Sequence, residues 1–212
     1  MEDRETPGLY LEMTDGSPAG YGTGRVPEVL SAPGVTRATW WANARRDRND
    51  LPRRLPEFDL LGVYEVDRAF VAPPAPEGLI SHLFWRTPRP GQGRLTGAPT
   101  VGLSLVLISP RDAARAQELR DWADFIHIRH IAEVGVPGYS MITPYERAGG
   151  GDPRFMHFYE MDTDDPEASF QAMTPLVRER LGDDEGFERW ARHETLRIMY
   201  VNSFRRVGEQ AA

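Results

Sequence analysis

Seven short apolar runs, rich in β-branched and aromatic residues and closed by Gly, Pro or Asp, divide the chain and predict strands at 9–13, 35–41, 58–66, 101–109, 139–145, 155–161 and 196–204. Between the fourth and fifth runs the period lengthens to that of a helix. From an opening near Ser109-Pro110-Arg111-Asp112 to about Val134, a 100° step puts Ala116, Leu119, Ala123, Ile126, His127, His130, Ile131 and Val134 on one apolar side. Arg111, Arg115, Glu118, Asp121 and Arg129 fall elsewhere, as on a solvated back face. A second helix is predicted over 166–181. The first half carries less helical signal: 17–24 is Gly-rich and reads as a flexible turn, 26–31 as a short helical stretch, and 43–57 as an extended loop.

In the second half the order strand, helix, strand, strand, helix, strand is that of a ferredoxin-like unit, with two helices on one face of an antiparallel sheet. A shorter copy precedes it. Ala32-Pro33-Gly34-Val35 enters a strand as Val136-Pro137-Gly138-Tyr139 does, and Val63-Tyr64-Glu65-Val66-Asp67 echoes Phe158-Tyr159-Glu160-Met161-Asp162 in the same order. The reading is an α+β protein of tandem ferredoxin-like repeats. It comprises a degenerate half over 1–72, a Pro- and Gly-rich connection over 73–99, and a complete half over 100–212 that carries the site.

Composition narrows the function classes. Acidic residues outnumber basic ones, 32 to 25, for a formal charge of −7, which disfavours a phosphate-tracking surface. The run of Arg45, Arg46, Arg48, Arg53 and Arg54 lies among Asp, Asn and Pro and reads as a solvated connection. The absence of cysteine excludes thiol nucleophiles and thiolate metal sites and fits a reducing cytoplasm. The N-terminal MEDRETPG is charged, and no apolar run approaches the ~20 residues of a membrane span, so a cytoplasmic protein without membrane or nucleic-acid partners is expected. No GxGxxG after a strand, Walker loop, GxSxG or HExxH is present, and Gly20-Tyr21-Gly22-Thr23-Gly24 lacks the Lys and long helix of a phosphate loop. Nucleotide cofactors are disfavoured.

The second half resembles the dimeric α/β-barrel superfamily, and within it the EthD-like group. The residues that carry this are Trp122-Ala123-Asp124-Phe125-Ile126-His127-Ile128, Val136-Pro137-Gly138-Tyr139 and Phe158-Tyr159-Glu160-Met161-Asp162. The chain departs from such relatives at Arg129, where Pro is common, and by about two extra residues between His127 and the Pro-Gly. The resemblance implies two sheets packed into a barrel, here within one chain, and a ligand cavity between sheet and helices. It leaves a further homodimer open. Such proteins include cyclases, lyases, isomerases, monooxygenases and haem-handling proteins, so the fold does not select the chemistry.

The candidate chemistry is carried by His127 and His130 on the helix and by His157, Tyr159 and Glu160 on the strand at 155–161. A neutral imidazole titrates near the operating pH and can shuttle a proton at a carbonyl or enol. Either histidine can instead be a core residue satisfied by a backbone carbonyl, Asp124 or Glu133. Strand alternation puts Phe155, His157 and Tyr159 on one face and Met156, Phe158 and Glu160 on the other, so either face offers a proton-transfer group. Glu160 is a general acid or base if buried, or an edge carboxylate paired with Arg. Trp122, Tyr139, Met141, Thr143 and Tyr145 are read as pocket lining or plain core. His127 and His130 could share a metal with His157 or Glu160, but no motif demands it. The reading therefore holds no metal and no cofactor: a small-molecule enzyme of cyclase, isomerase or lyase type, acting on a hydrophobic carbonyl-bearing or aromatic metabolite. Its alternatives are a non-catalytic hydrophobic ligand-binding protein and an EthD-like monooxygenase or haem-handling protein. As the first half has no His opposite its Pro-Gly, one site is expected.

Overall fold

A computed structural model describes residues 7–182 and 184–212; the charged residues 1–6 noted above lie outside that range. The elements run β1 (Gly8–Thr14), α1 (Pro18–Thr23), α2 (Arg25–Leu30), β2 (Val35–Asn43), β3 (Leu60–Val66), β4 (Ile80–Arg86), β5 (Gln92–Gly93), β6 (Gly102–Pro110), α3 (Ala116–Trp122), α4 (Ile128–Val134), β7 (Tyr139–Arg147), β8 (Phe155–Met161), α5 (Pro166–Leu181), α6 (Asp184–Ala191) and β9 (Leu196–Ala211). A 3-10 turn, Ala113–Arg115, precedes α3, and a π-helical turn, Ala123–His127, joins α3 to α4.

Eight strands form one closed antiparallel barrel. Its order is β4-β1-β3-β2-β9-β6-β8-β7, with β7 returning to β4 and the two-residue β5 on the flank of β7. Each half contributes four strands in the same ferredoxin-like order, β4-β1-β3-β2 and β9-β6-β8-β7, so one chain supplies both sheets. The barrel closes through Phe84, Trp85 and Arg86 of β4, which pair with Arg147, Glu146 and Tyr145 of β7. Leu11, Leu61, Leu105, Met156, Tyr200 and Phe204, buried among the inward faces, belong to the barrel core, while the outward faces of the two halves pack under their own helices.

The halves share their register. Gly8 pairs with Val66 and Gly102 with Met161; Val35 pairs with Val66 and Tyr139 with Met161; a bulge follows Val35 on β2 and Tyr139 on β7. Gly34 and Gly138, which open these strands, have φ of 82° and 84°, a backbone region that favours glycine.

Three segments differ from the sequence reading. The connection expected over 73–99 holds β4 and β5; β4 is the fourth strand of the first sheet, a short strand whose signal is diluted by flanking Pro and Gly. The Gly-rich 17–24 forms α1, because Ser17 caps it by accepting from the Gly20 amide and Pro18 starts it. Finally, β9 continues past 204 to Ala211 through charged residues. There the main chain is held by pairing with β2, which requires no apolar side chains.

Candidate active site

The outward face of the second sheet meets its helices through Ile142, Tyr159 and Met161, which pack with Ile128, Ile131 and Val177, but not along its whole length. Between them lies a cavity of about 510 Å³, within the size range of small-molecule sites. Its floor is Ser104, Val106 and Ile108 of β6 with His157 and Tyr159 of β8; its roof is Phe170 and Met173 of α5, Phe187 and Trp190 of α6, and His127.

His127 owes its position to the π turn. The Ile128 amide donates back five residues to the Ala123 carbonyl, so one extra residue enters the helix and the buried stripe rotates. Leu119, Trp122 and Ala123 are buried before it, and Ile128 and Ile131 after it, whereas Ile126 is exposed. Of the expected apolar side, Leu119, Ala123, His127 and Ile131 face inward, while Ile126 turns out to solvent. His130 is carried to a half-buried position, its Nδ1 3.7 Å from Glu133 Oε2, and is not among the cavity-lining residues.

The His127 ring is held between two indoles, stacked on Trp190 at 4.9 Å and tilted against Trp122 at 5.0 Å. Its Nδ1 lies 3.0 Å from the Trp190 carbonyl, and Trp190 Nε1–H donates to the His127 carbonyl at 3.0 Å. A carbonyl can only accept, so Nδ1 carries the hydrogen and Nε2 keeps its lone pair. Burial pulls the His127 pKa down to about 4, against the opposing hydrogen bond to Trp190, with the charges of His157 and His130 adding to the lowering. The ring is neutral at neutral pH.

Across the cavity, His157 Nε2 lies 2.8 Å from Asp124 Oδ1, with both side chains almost fully buried. Asp124 sits in the π turn, and its second oxygen faces Arg89 Nη1 at 3.3 Å and Arg120 Nε at 3.9 Å. The carboxylate can only accept here, so Nε2–H of His157 is the donor, and Nδ1 is the ring nitrogen it leaves unengaged. Tyr159 and Tyr139 meet edge to face at 5.7 Å. Burial raises both phenols above their usual value, so both are protonated donors at neutral pH. The Tyr139 hydroxyl has no well-formed hydrogen bond among the described residues.

The structure thus brings His127, His157, Tyr159, Tyr139 and Trp122 to one cavity and leaves His130 and Glu160 out of its lining. Glu160 points to the opposite side of the sheet, accepts from Thr100 Oγ1 at 3.2 Å and has its pKa raised by burial. Met141, Thr143 and Tyr145, expected beside Tyr139, are register partners of Glu160, Phe158 and Met156 and share their face. The bulge after Tyr139 breaks the alternation that would have kept all four together.

Sequence reasoning missed Asp124 as the partner of His157, Arg89 behind it, and Phe187 and Trp190 on α6. The signal for α6 is the apolar pair three residues apart in Phe187-Glu188-Arg189-Trp190. No local pattern links Asp124 to a strand 33 residues away. Among the described residues no group of three or more His, Asp or Glu is arranged to hold a metal ion, and no helix is long and apolar enough to cross a membrane.

No protein-family model and no curated protein matches the sequence. Solved structures match over nearly the whole chain. An anthrone oxidase-like protein shares 10% identity, covering 98% of this chain and 94% of its own, with a TM-score of 0.55. A protein from Lactobacillus acidophilus, provisionally described as a monooxygenase, shares 9% identity over 98% and 97%, with a TM-score of 0.55. A mutant chlorite dismutase from Candidatus Nitrospira defluvii shares 10% over 96% and 92%, with a TM-score of 0.50. The fold is therefore the dimeric α/β-barrel, with both sheets drawn from one chain. At these identities the likeness concerns fold alone, and the particular chemistry must be argued from the side chains.

Proposed function

We propose that the protein is a cofactor-independent enzyme that moves a proton on a hydrophobic, carbonyl-bearing or aromatic metabolite. The observation that carries this is the buried Asp124–His157 pair in the wall of an apolar cavity. His157 Nδ1 takes the proton as general base. Asp124 holds the tautomer and stabilises the imidazolium that forms, and the same ring returns the proton as general acid. Neutral His127 accepts a hydrogen bond from the substrate through Nε2. Tyr159 and Tyr139 donate to the oxygen on which negative charge develops, at no reorganisation cost, since their surroundings already exclude water. His130 and Glu160, on this reading, have no direct contact with substrate. Structural neighbours described as oxidases, monooxygenases and dismutases support an enzyme rather than a carrier and leave the reaction type open.

The test is hydrogen–deuterium exchange. A panel of hydroxy- and keto-aromatic compounds is incubated with enzyme in deuterium oxide and followed by proton NMR, with dissolved oxygen recorded. Exchange beside a carbonyl or phenol hydroxyl in the wild type, lost in His157→Gln, supports the proposal. Compounds that bind equally to both proteins with no exchange mark a ligand-binding protein instead. Oxygen uptake coupled to the exchange adds an oxygenase step.

A further inference from the structure

One stretch of the first half reaches the second half's cavity. The 44–57 segment joins β2 to β3, yet Asp50 and Leu51 line that cavity. Both ends of the segment are fastened to β9. The Ala44 amide donates to the Ser203 carbonyl at 2.9 Å, and the amides of Arg54 and Leu55 donate to the Met199 carbonyl at 2.8 and 3.1 Å. Asn202 Nδ2 donates to the Arg45 carbonyl at 2.9 Å, and the Tyr200 hydroxyl donates to Glu57.

The anchor in the middle is Arg48, only 2% exposed although it belongs to the arginine run that the sequence places in solvent. Its Nε donates to Asn202 Oδ1 at 3.1 Å, its Nη2 pairs with Glu167 of α5, and its Nη1 lies 3.3 Å from both oxygens of Asp50. Its guanidinium lies 4.3 Å from the centre of the Phe170 ring, which is itself part of the cavity roof. Burying a guanidinium is costly unless it is paired and hydrogen-bonded, and this one is. The segment is thus pinned at both ends and at Arg48. Its short tip, which carries Leu51, borders the cavity.

We infer that this strap is the specificity element of the site: Leu51 sets the length of apolar ligand admitted, and Arg48 positions Leu51 from outside the cavity. The catalytic groups come from the second half and the size limit from the first. The lining residues are apolar or uncharged apart from Asp50 and the two histidines, so the ligands sorted in this way are uncharged ring compounds. The inference rests on reading the cavity as a ligand site but not on any proton being moved there.

The test uses the full chain and two neutral fluorescent probes of different length, naphthylmethanol and pyrenylmethanol, with Kd measured by fluorescence titration. Shortening Leu51→Ala should tighten pyrenylmethanol binding about tenfold and leave naphthylmethanol within about threefold, as expected for a methylene-scale change in pocket depth. Leu51→Trp should weaken both by about tenfold or more. Arg48→Ala should mimic Leu51→Ala by freeing the tip; if it does not fold, the two Leu51 variants decide, since Leu51 is only partly buried in the loop. A wild-type ratio of the two Kd values in Leu51→Ala, together with wild-type Kd values in Leu51→Trp, overturns the inference. If the wild type binds neither probe, the cavity is not a ligand site, and the inference falls together with the proposed function. Size selection that responds to Leu51 while deuterium exchange is absent sinks the proposed function alone.

Discussion

The two halves use one backbone plan and reach opposite interiors. Their shared register places Tyr10 and Glu12 of β1 where the second half has Ser104 and Val106, and Gly62 and Tyr64 of β3 where it has His157 and Tyr159. In the first half this face is filled. Glu12, with no exposed surface, accepts from Arg25 Nη2 at 2.6 Å and from the Tyr21 and Tyr10 hydroxyls at 2.9 and 3.2 Å, and Tyr21 reaches Tyr64 at 2.8 Å. Tyr21 can lie so close because Gly62 has no side chain; a Cβ there would come within 1.9 Å of its hydroxyl. In the second half Ser104 and Val106 are small, His157 replaces the glycine, and Trp122, Trp190 and Phe187 line the space between helices and sheet. A cavity arises here by leaving out the side chains that close the corresponding space. The pair that remains, Asp124–His157, takes the place of a structural Glu–Arg–Tyr cluster.

The comparison can be broken most decisively at His157. His157→Gln should lower turnover by about 10²–10⁴-fold, the scale of general acid–base catalysis, with the far-ultraviolet circular dichroism unchanged. A smaller loss at equal fold would return the Asp124–His157 pair to the status of the first half's cluster. Next in size is Glu12→Ala, which removes the acceptor of Nε and Nη2 of the buried Arg25 and leaves it, among the described residues, only Glu28 and the Pro74 carbonyl, both through Nη1. Urea unfolding should show a loss of about 3–5 kcal/mol, as for other broken buried pairs, with probe binding retained by the surviving fold. A cost near zero would mean that the filled half does not depend on its ion pair.

The pH dependence comes third. His127 and His82 are both held down to about 4, chiefly by burial. Unfolded, each titrates near 6.5, so between pH 6.5 and 4 the unfolded chain takes up protons that the fold refuses. Stability is therefore full above pH 6.5 and declines as the pH falls through that window, by about 1–2 kcal/mol per histidine at pH 5. Urea midpoints at pH 7 and pH 5 measure the total, and His127→Phe should remove the second half's share while leaving that of His82, on β4 of the first half. The smallest effect sharpens the comparison best. Ser104→Tyr installs the first half's Tyr10 in the second and should weaken naphthylmethanol binding about tenfold while changing stability by less than about 1 kcal/mol, because the ring enters empty space. Unchanged binding would place the ligand elsewhere.

Much of this architecture was legible along the chain. The Pro-Gly entries and the Tyr-Glu strands mark corresponding register positions in the two sheets, and β8 and α5 fall where alternation and end signals put them. What misled the reading was local irregularity. The π turn breaks the helical step before His127 and His130, and the bulge after Tyr139 sent Met141, Thr143 and Tyr145 to the opposite face. Each inserts one residue into a regular period, and a fixed step size cannot follow that insertion. Arg48 was misplaced for a different reason: its partners Asn202 and Glu167 are more than 100 residues away, and an arginine among Asp, Asn and Pro reads as solvated until they are in place.

The sequence by itself determined the repeat and the alternation that sends His157 and Tyr159 to one face, because these follow from periodicity and turn chemistry along the chain. Only the tertiary structure decided that Asp124 serves His157, that His127 lies between two indoles with its lone pair free, and that a loop of the first half borders the second half's cavity. Each of these depends on groups from different elements meeting at distances of a few ångströms, where hydrogen-bond geometry and desolvation set the chemistry.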